Sequence, residues 1–121
     1  MPPPSQLSIA TLAVTRLLRE EISYEKELIN DKSKVVALEN EIKEGKPDED
    51  GNRDHMLKQL KQAVAETEKI FPHVRTRINE ATAKLEEQIA LAETNGATEE
   101  ELDLARSALK KGLEAKAPGV A

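Results

Sequence analysis

The side chains able to do chemistry in this sequence are few in kind. Histidine occurs twice, as His55 and His73, and neither has a second histidine at helical spacing. A zinc site needs three or four converging ligands, so no metal site is expected. Cysteine is absent, which removes disulfides and thiolate sites. Ser5, Ser8, Ser23, Ser33 and Ser107 have no histidine base beside them, and the five glycines are scattered rather than gathered into a phosphate-binding loop. Carboxylates are plentiful, in pairs such as Glu20-Glu21, Glu25/Glu27, Glu86-Glu87 and the run Glu99 to Glu101. A catalytic pair needs a cleft that keeps one acid protonated. These pairs alternate with Arg16, Arg19, Lys26 and Lys84, the pattern of solvated helix faces. The expectation is a protein that is not an enzyme and needs no cofactor.

Composition narrows the class further. The 121 residues suit one domain, and Ala, Glu, Lys, Leu and Arg make up just over half of them, the level of long helices and coiled coils. Tyr24 and Phe71 are the only aromatics, too few for a base-stacking platform or an aromatic-walled pocket. The net charge of −5 repels phosphate backbones and anionic lipid, so neither nucleic acid nor membrane is an expected partner. No apolar run reaches the roughly 18 residues of a membrane span. The start, Met1-Pro2-Pro3-Pro4-Ser5, lacks the basic and apolar regions of a secretory signal, and a cytosolic or nuclear protein is expected.

Sparse punctuation divides the chain into three periodic segments, expected as helices over about 8–43, 53–94 and 99–116, with a disordered tail at 1–7 and a frayed end at 117–121. In the first, Leu7, Val14, Glu21, Leu28, Val35 and Ile42 repeat every seven residues, with Ala10, Leu17, Tyr24, Asp31 and Leu38 between them. Glu21 and Asp31 fall on this seam, where polar residues specify register or oligomer state. Tyr24 is expected to pack there with its hydroxyl at the edge. Ile22, Ile29 and Val36 run beside the seam and widen the stripe, as a helix touching two neighbours requires. Gly45 is a candidate terminator. The second segment opens at Asn52 or Asp54, either a suitable cap. Its seam reads Leu57, Leu60, Val64, Thr67, Phe71, Val74, Ile78, Ala81, Leu85, Gln88 and Ala92. Pro72 interrupts it, but the phase carries through without a slip, which predicts a kink rather than a break. The third segment opens on a capping box, Thr98 with Glu101, and carries its seam on Leu102, Ala105, Leu109 and the Gly112-Leu113 step.

At 1.5 Å per residue the helices measure roughly 54, 63 and 27 Å. None buries its stripe alone, and short connections make sequential helices antiparallel neighbours. The expected fold is all-α: a left-handed up-down-up three-helix bundle, an antiparallel coiled-coil-like rod with a kinked second helix. The short third helix cannot cover the stretch around Val35, Val36, Leu38 and Ile42 where it faces Leu57, Leu60 and Val64. That flank stays partly open, and an open apolar strip marks an interaction surface. One use for it is self-association, as a structural coiled-coil adaptor.

Particular residues add a resemblance. The run Gln6-Leu7-Ser8-Ile9-Ala10-Thr11, then Val14-Thr15-Arg16-Leu17-Leu18-Arg19-Glu20, then Tyr24-Glu25-Lys26-Glu27 resembles the first helix of the tubulin-binding cofactor A family. The acidic loop near Asp48 to Gly51 is similar too, as are Glu66-Thr67, the apolar pair and proline at Ile70-Phe71-Pro72, then Arg77-Ile78 and Ala81. The resemblance implies a non-enzymatic, cytoplasmic and cytoskeleton-associated chaperone of the tubulin-folding pathway. Such a protein captures β-tubulin intermediates for assembly of the α/β heterodimer, acts as a monomer or weak homodimer, and has other tubulin-folding cofactors as candidate further partners. It implies that the matched, solvent-facing positions Arg16, Glu20, Glu25, Lys26, Glu27, Glu66 and Arg77 are candidate client contacts.

Overall fold

The computed structural model describes residues 5–116, and it is built of three α-helices with no strand among them. They are α1 (Gln6–Lys43), α2 (Arg53–Asn95) and α3 (Glu99–Lys116). The expected tail at residues 1–4 and the frayed end at 117–121 lie outside the described residues. Helix α1 starts two residues before the expected Ser8, because Ser5 caps it: its hydroxyl accepts the Ser8 N–H at 3.0 Å and its carbonyl the Ile9 N–H at 2.9 Å. Leu7, expected in the disordered tail, is buried.

The ends follow from local chemistry. Gly45 has φ of 71°, its N–H reaches the Ile42 carbonyl at 3.1 Å, and the Lys46 N–H reaches that of Glu41 at 3.0 Å. This is the paired-bond terminator that glycine adopts without a Cβ clash. At the opening of α2 Asn52 holds the expected cap position, its carbonyl accepting the Met56 N–H at 2.9 Å, but the side-chain acceptor differs from expectation. Asp48, not Asn52 or Asp54, offers the side-chain oxygen, which accepts the Arg53 N–H at 3.2 Å. The capping box of α3 is half made. Thr98 Oγ1 accepts the Glu101 N–H at 3.2 Å, but the Glu101 carboxylate takes the Ser5 hydroxyl, also at 3.2 Å, instead of turning back to Thr98.

The chain forms two compact units, one of Met1–Glu21 with Pro72–Ala121 and one of Ile22–Phe71. The first is the three-helix bundle. Leu7, Ala10 and Val14 of α1, Leu85 and Ile89 of α2, and Leu102, Ala105 and Ala108 of α3 form one dry cluster. The heptad phase of α1 reads true here, but that of α2 drifts. Past Ile78 the buried set is Thr82, Leu85 and Ile89, while the expected Ala81 and Gln88 are only half-buried. A straight helix turns about 20° per heptad relative to a strict seven-residue repeat, which accounts for the slide. On α3, Ala108 and Gly112 are buried and Leu113 is exposed. A Cβ at Gly112 would overlap Thr82 Cγ2 and stand 3.3 Å from Val14 Cγ1, so glycine is what lets the three helices close together.

The second unit is a two-helix hairpin. Lys32 pairs with Glu68 at 3.6 Å and Glu39 with Lys61 at 3.2 Å, so advancing seven residues on one helix retreats seven on the other. The helices are therefore antiparallel. Leu28, Val35 and Leu38 face the seam with Leu57, Leu60 and Val64, yet each is only half-buried, and Thr67 is the one side chain in the unit that is fully buried. Ile22, Ile29 and Val36 do not bridge to a second neighbour; with no third helix in this unit they stand exposed. Helix α2 runs on through Pro72 rather than breaking there.

Candidate interaction surfaces

Charged faces, rather than a cleft, dominate both units. No group of three or more His, Asp or Glu side chains gathers as metal ligands would among the described residues. His55 and His73 are both exposed. An open, mostly apolar groove on α3 is lined by Arg106, Leu109, Lys110, Leu113 and Glu114.

In the bundle unit, the half-buried Glu20 of α1 meets the exposed Arg77 of α2 at 3.8 Å, so two of the candidate contacts come together as an ion pair at the surface. Arg16 lies one helical turn before Glu20 and is exposed. Pairs of this kind contribute about 0–1 kcal/mol to the fold, which leaves such side chains free to exchange partners. The next residue behaves differently. Glu21 is turned inward, its side chain only 5% exposed, and Arg75 Nε lies 2.7 Å from its Oε2. Arg75 Nη1 donates in turn to the backbone carbonyl of Ala115 in the last turn of α3. One guanidinium therefore ties all three helices.

Nothing in the sequence around Arg75 distinguishes it from the other helix-face cations. The available signal was an acid at a seam position of the first segment: a buried carboxylate demands a cation from a facing helix. Which cation answers depends on helix register, and sequence periodicity does not supply that.

In the hairpin unit, Glu25, Lys26 and Glu27 occupy three successive exposed positions on α1, and among the described residues none of them forms an intrachain ion pair. Glu66 on α2 is exposed as well and accepts a long hydrogen bond from Gln62 Nε2 at 3.4 Å. Tyr24 and Phe71 are half-buried. Thus, of the seven candidate contacts, only Glu20 and Arg77 join each other.

An all-helical chain whose exposed features are charged faces and an uncovered apolar strip belongs with proteins that hold other proteins. The model of one family matches it: tubulin binding cofactor A, over residues 2–109 of the chain. The chain belongs to that family, and so to the chaperone-type cofactors of tubulin folding, with tubulin as partner. Comparison with curated proteins and with solved structures returns no match.

Proposed function

We propose that the chain captures β-tubulin folding intermediates and holds them for assembly into the α/β heterodimer, in the cytoplasm, without catalysing a reaction or using a nucleotide. The observation that carries the reading is the hairpin unit itself. It is a pair of helices with a half-buried seam, an uncovered apolar row and three charged residues in sequence, Glu25, Lys26 and Glu27, with no ion partner among the described residues. Apolar surface shields a partly folded client, and a polar surround keeps affinity low enough for handover to the next cofactor. Exposed glutamates steer and orient more than they bind.

The test is co-purification with free β-tubulin against the intact heterodimer, using the wild type and a double charge reversal, Glu25→Lys with Glu27→Lys. Selective retention of free β-tubulin is expected, weakened by the reversal while helical content and melting temperature stay nearly unchanged. Equal retention of the heterodimer would sink the capture reading, and unaltered retention by the variant would remove Glu25 and Glu27 from the interface. The exposed apolar row also favours a second reading, an adaptor that self-associates through this flank. A monomer by light scattering at micromolar concentration excludes that one.

A further inference from the structure

The polarity of α1 runs against its burial along one row. Ile22, Ile29 and Val36 repeat every seven residues and are 50%, 69% and 55% exposed. Continued backwards, the same row reads Thr15 and Ser8, which are polar and half-buried. Hydrophobic side chains thus stand where α1 has no cover, and hydroxyls where it has some. Burial within the chain does not account for that choice.

Size and chemistry narrow what could sit there. Fourteen residues of helix span about 21 Å, and a helix is about 10–12 Å wide, so the row offers a footprint of roughly 200 Å². A stable dimer needs about 800 Å² from each partner, several times more than a second copy would bury on this row. One side of a single helix fits it. The bundle unit supplies the internal precedent, since there an amphipathic helix, α3, covers α1 and α2 with Leu102, Ala105 and Ala108. Lys32 and Glu39 turn one flank of the row towards α2. The other flank carries Ser23, Lys26, Asn30, Ser33, Ala37 and Asn40, with Lys26 its sole charge. The complementary partner is therefore apolar along its centre, carries an acidic side chain opposite Lys26, and is otherwise uncharged on that edge.

We propose that the row Ile22–Ile29–Val36 seats one amphipathic helix of the captured tubulin polypeptide, an inference that rests on the capture reading above. Docking covers side chains that are now half or more exposed, and their replacement by serine removes that gain without touching the packed seam.

The experiment measures affinity for free β-tubulin with four proteins: wild type, the triple variant I22S/I29S/V36S, the single variant Ile29→Lys, and Leu104→Ser, an equally exposed leucine on α3. Affinity is expected to fall about ten- to a hundredfold for the triple variant and about tenfold for Ile29→Lys. Leu104→Ser should match wild type, with circular dichroism and melting temperature unchanged throughout. Wild-type binding by both row variants overturns this inference and leaves the capture reading intact. No binding by wild type overturns both. If the triple variant melts early, Ile29→Lys, at the most exposed position, decides. A wild-type dimer that the triple variant dissolves would assign the row to a second copy and overturn the helix seat.

Discussion

The two units use the same two helices and the same heptad spacing, and differ in whether a third helix is present. In the bundle unit, Val14, Ile78, Leu85 and Ala105 are wholly excluded from solvent. In the hairpin unit the seam residues Leu28, Val35, Leu38, Leu57, Leu60 and Val64 are all half-exposed. Two helices can touch along a line, but they enclose nothing; a third is what turns a stripe into a core. Stability should therefore concentrate in the bundle unit, and the hairpin should open at lower free energy, as regions with few buried apolar contacts do.

The largest expected effect tests this directly with one chemistry at two places. Leu85→Ala leaves a cavity in a region that cannot collapse, and should destabilise by about 3–4 kcal/mol. Leu38→Ala, at a half-exposed seam, should lose only about 1–2 kcal/mol, because water reaches the site already. Urea unfolding measures both. Equal losses would show the hairpin seam to be as dry as the bundle core and would break the comparison.

The difference between the units also marks what could be read from the sequence. Heptad arithmetic places Leu7, Ala10, Val14 and Leu17 correctly on the buried face, and the shortness of the third segment foretells the open flank. It misplaces residues where rotation accumulates, taking Ala81 and Gln88 for Thr82 and Ile89. It assigns Ile22, Ile29 and Val36 to a second neighbour because a period shows an apolar row without showing whether anything covers it. Exposure of Arg16, Glu25, Lys26, Glu27, Glu66 and Arg77 was legible, since charges off the seam must face water; Glu20, beside the buried Glu21, is half-buried instead. The pairing of these charges was not legible. That Glu20 meets Arg77, or that Glu21 meets Arg75, depends on axial register between helices, which is set by the summed packing of many side chains.

The second prediction concerns the buried pair. Arg75→Ala takes the guanidinium away from the buried Glu21 carboxylate and from the Ala115 carbonyl, and should destabilise by about 3 kcal/mol, at the lower end for buried pairs because Arg75 is itself 24% exposed. Replacing both partners by leucine should recover most of that loss, since paired apolar groups need no compensation. Hydrogen exchange should rise in α3 for Arg75→Ala while the hairpin unit is unaffected. Protection lost equally in both units would mean that the guanidinium does not act on the third helix in particular.

The smallest effect belongs to the ion pairs of the hairpin. Glu39 and Lys61 approach as closely as 3.2 Å, yet both side chains are about half exposed, so solvent screening cancels most of their attraction. A double-mutant cycle with Glu39→Ala and Lys61→Ala should give a coupling below about 1 kcal/mol in dilute buffer. It should vanish in 1 M salt, where the screening length falls to about 3 Å. The same salt should leave the loss from Arg75→Ala almost untouched, because the Glu21 carboxylate is out of reach of mobile ions. A hairpin coupling that survived 1 M salt would place Glu39 and Lys61 in a dry environment, and the contrast between an enclosed unit and an open one would then have to be abandoned for electrostatics.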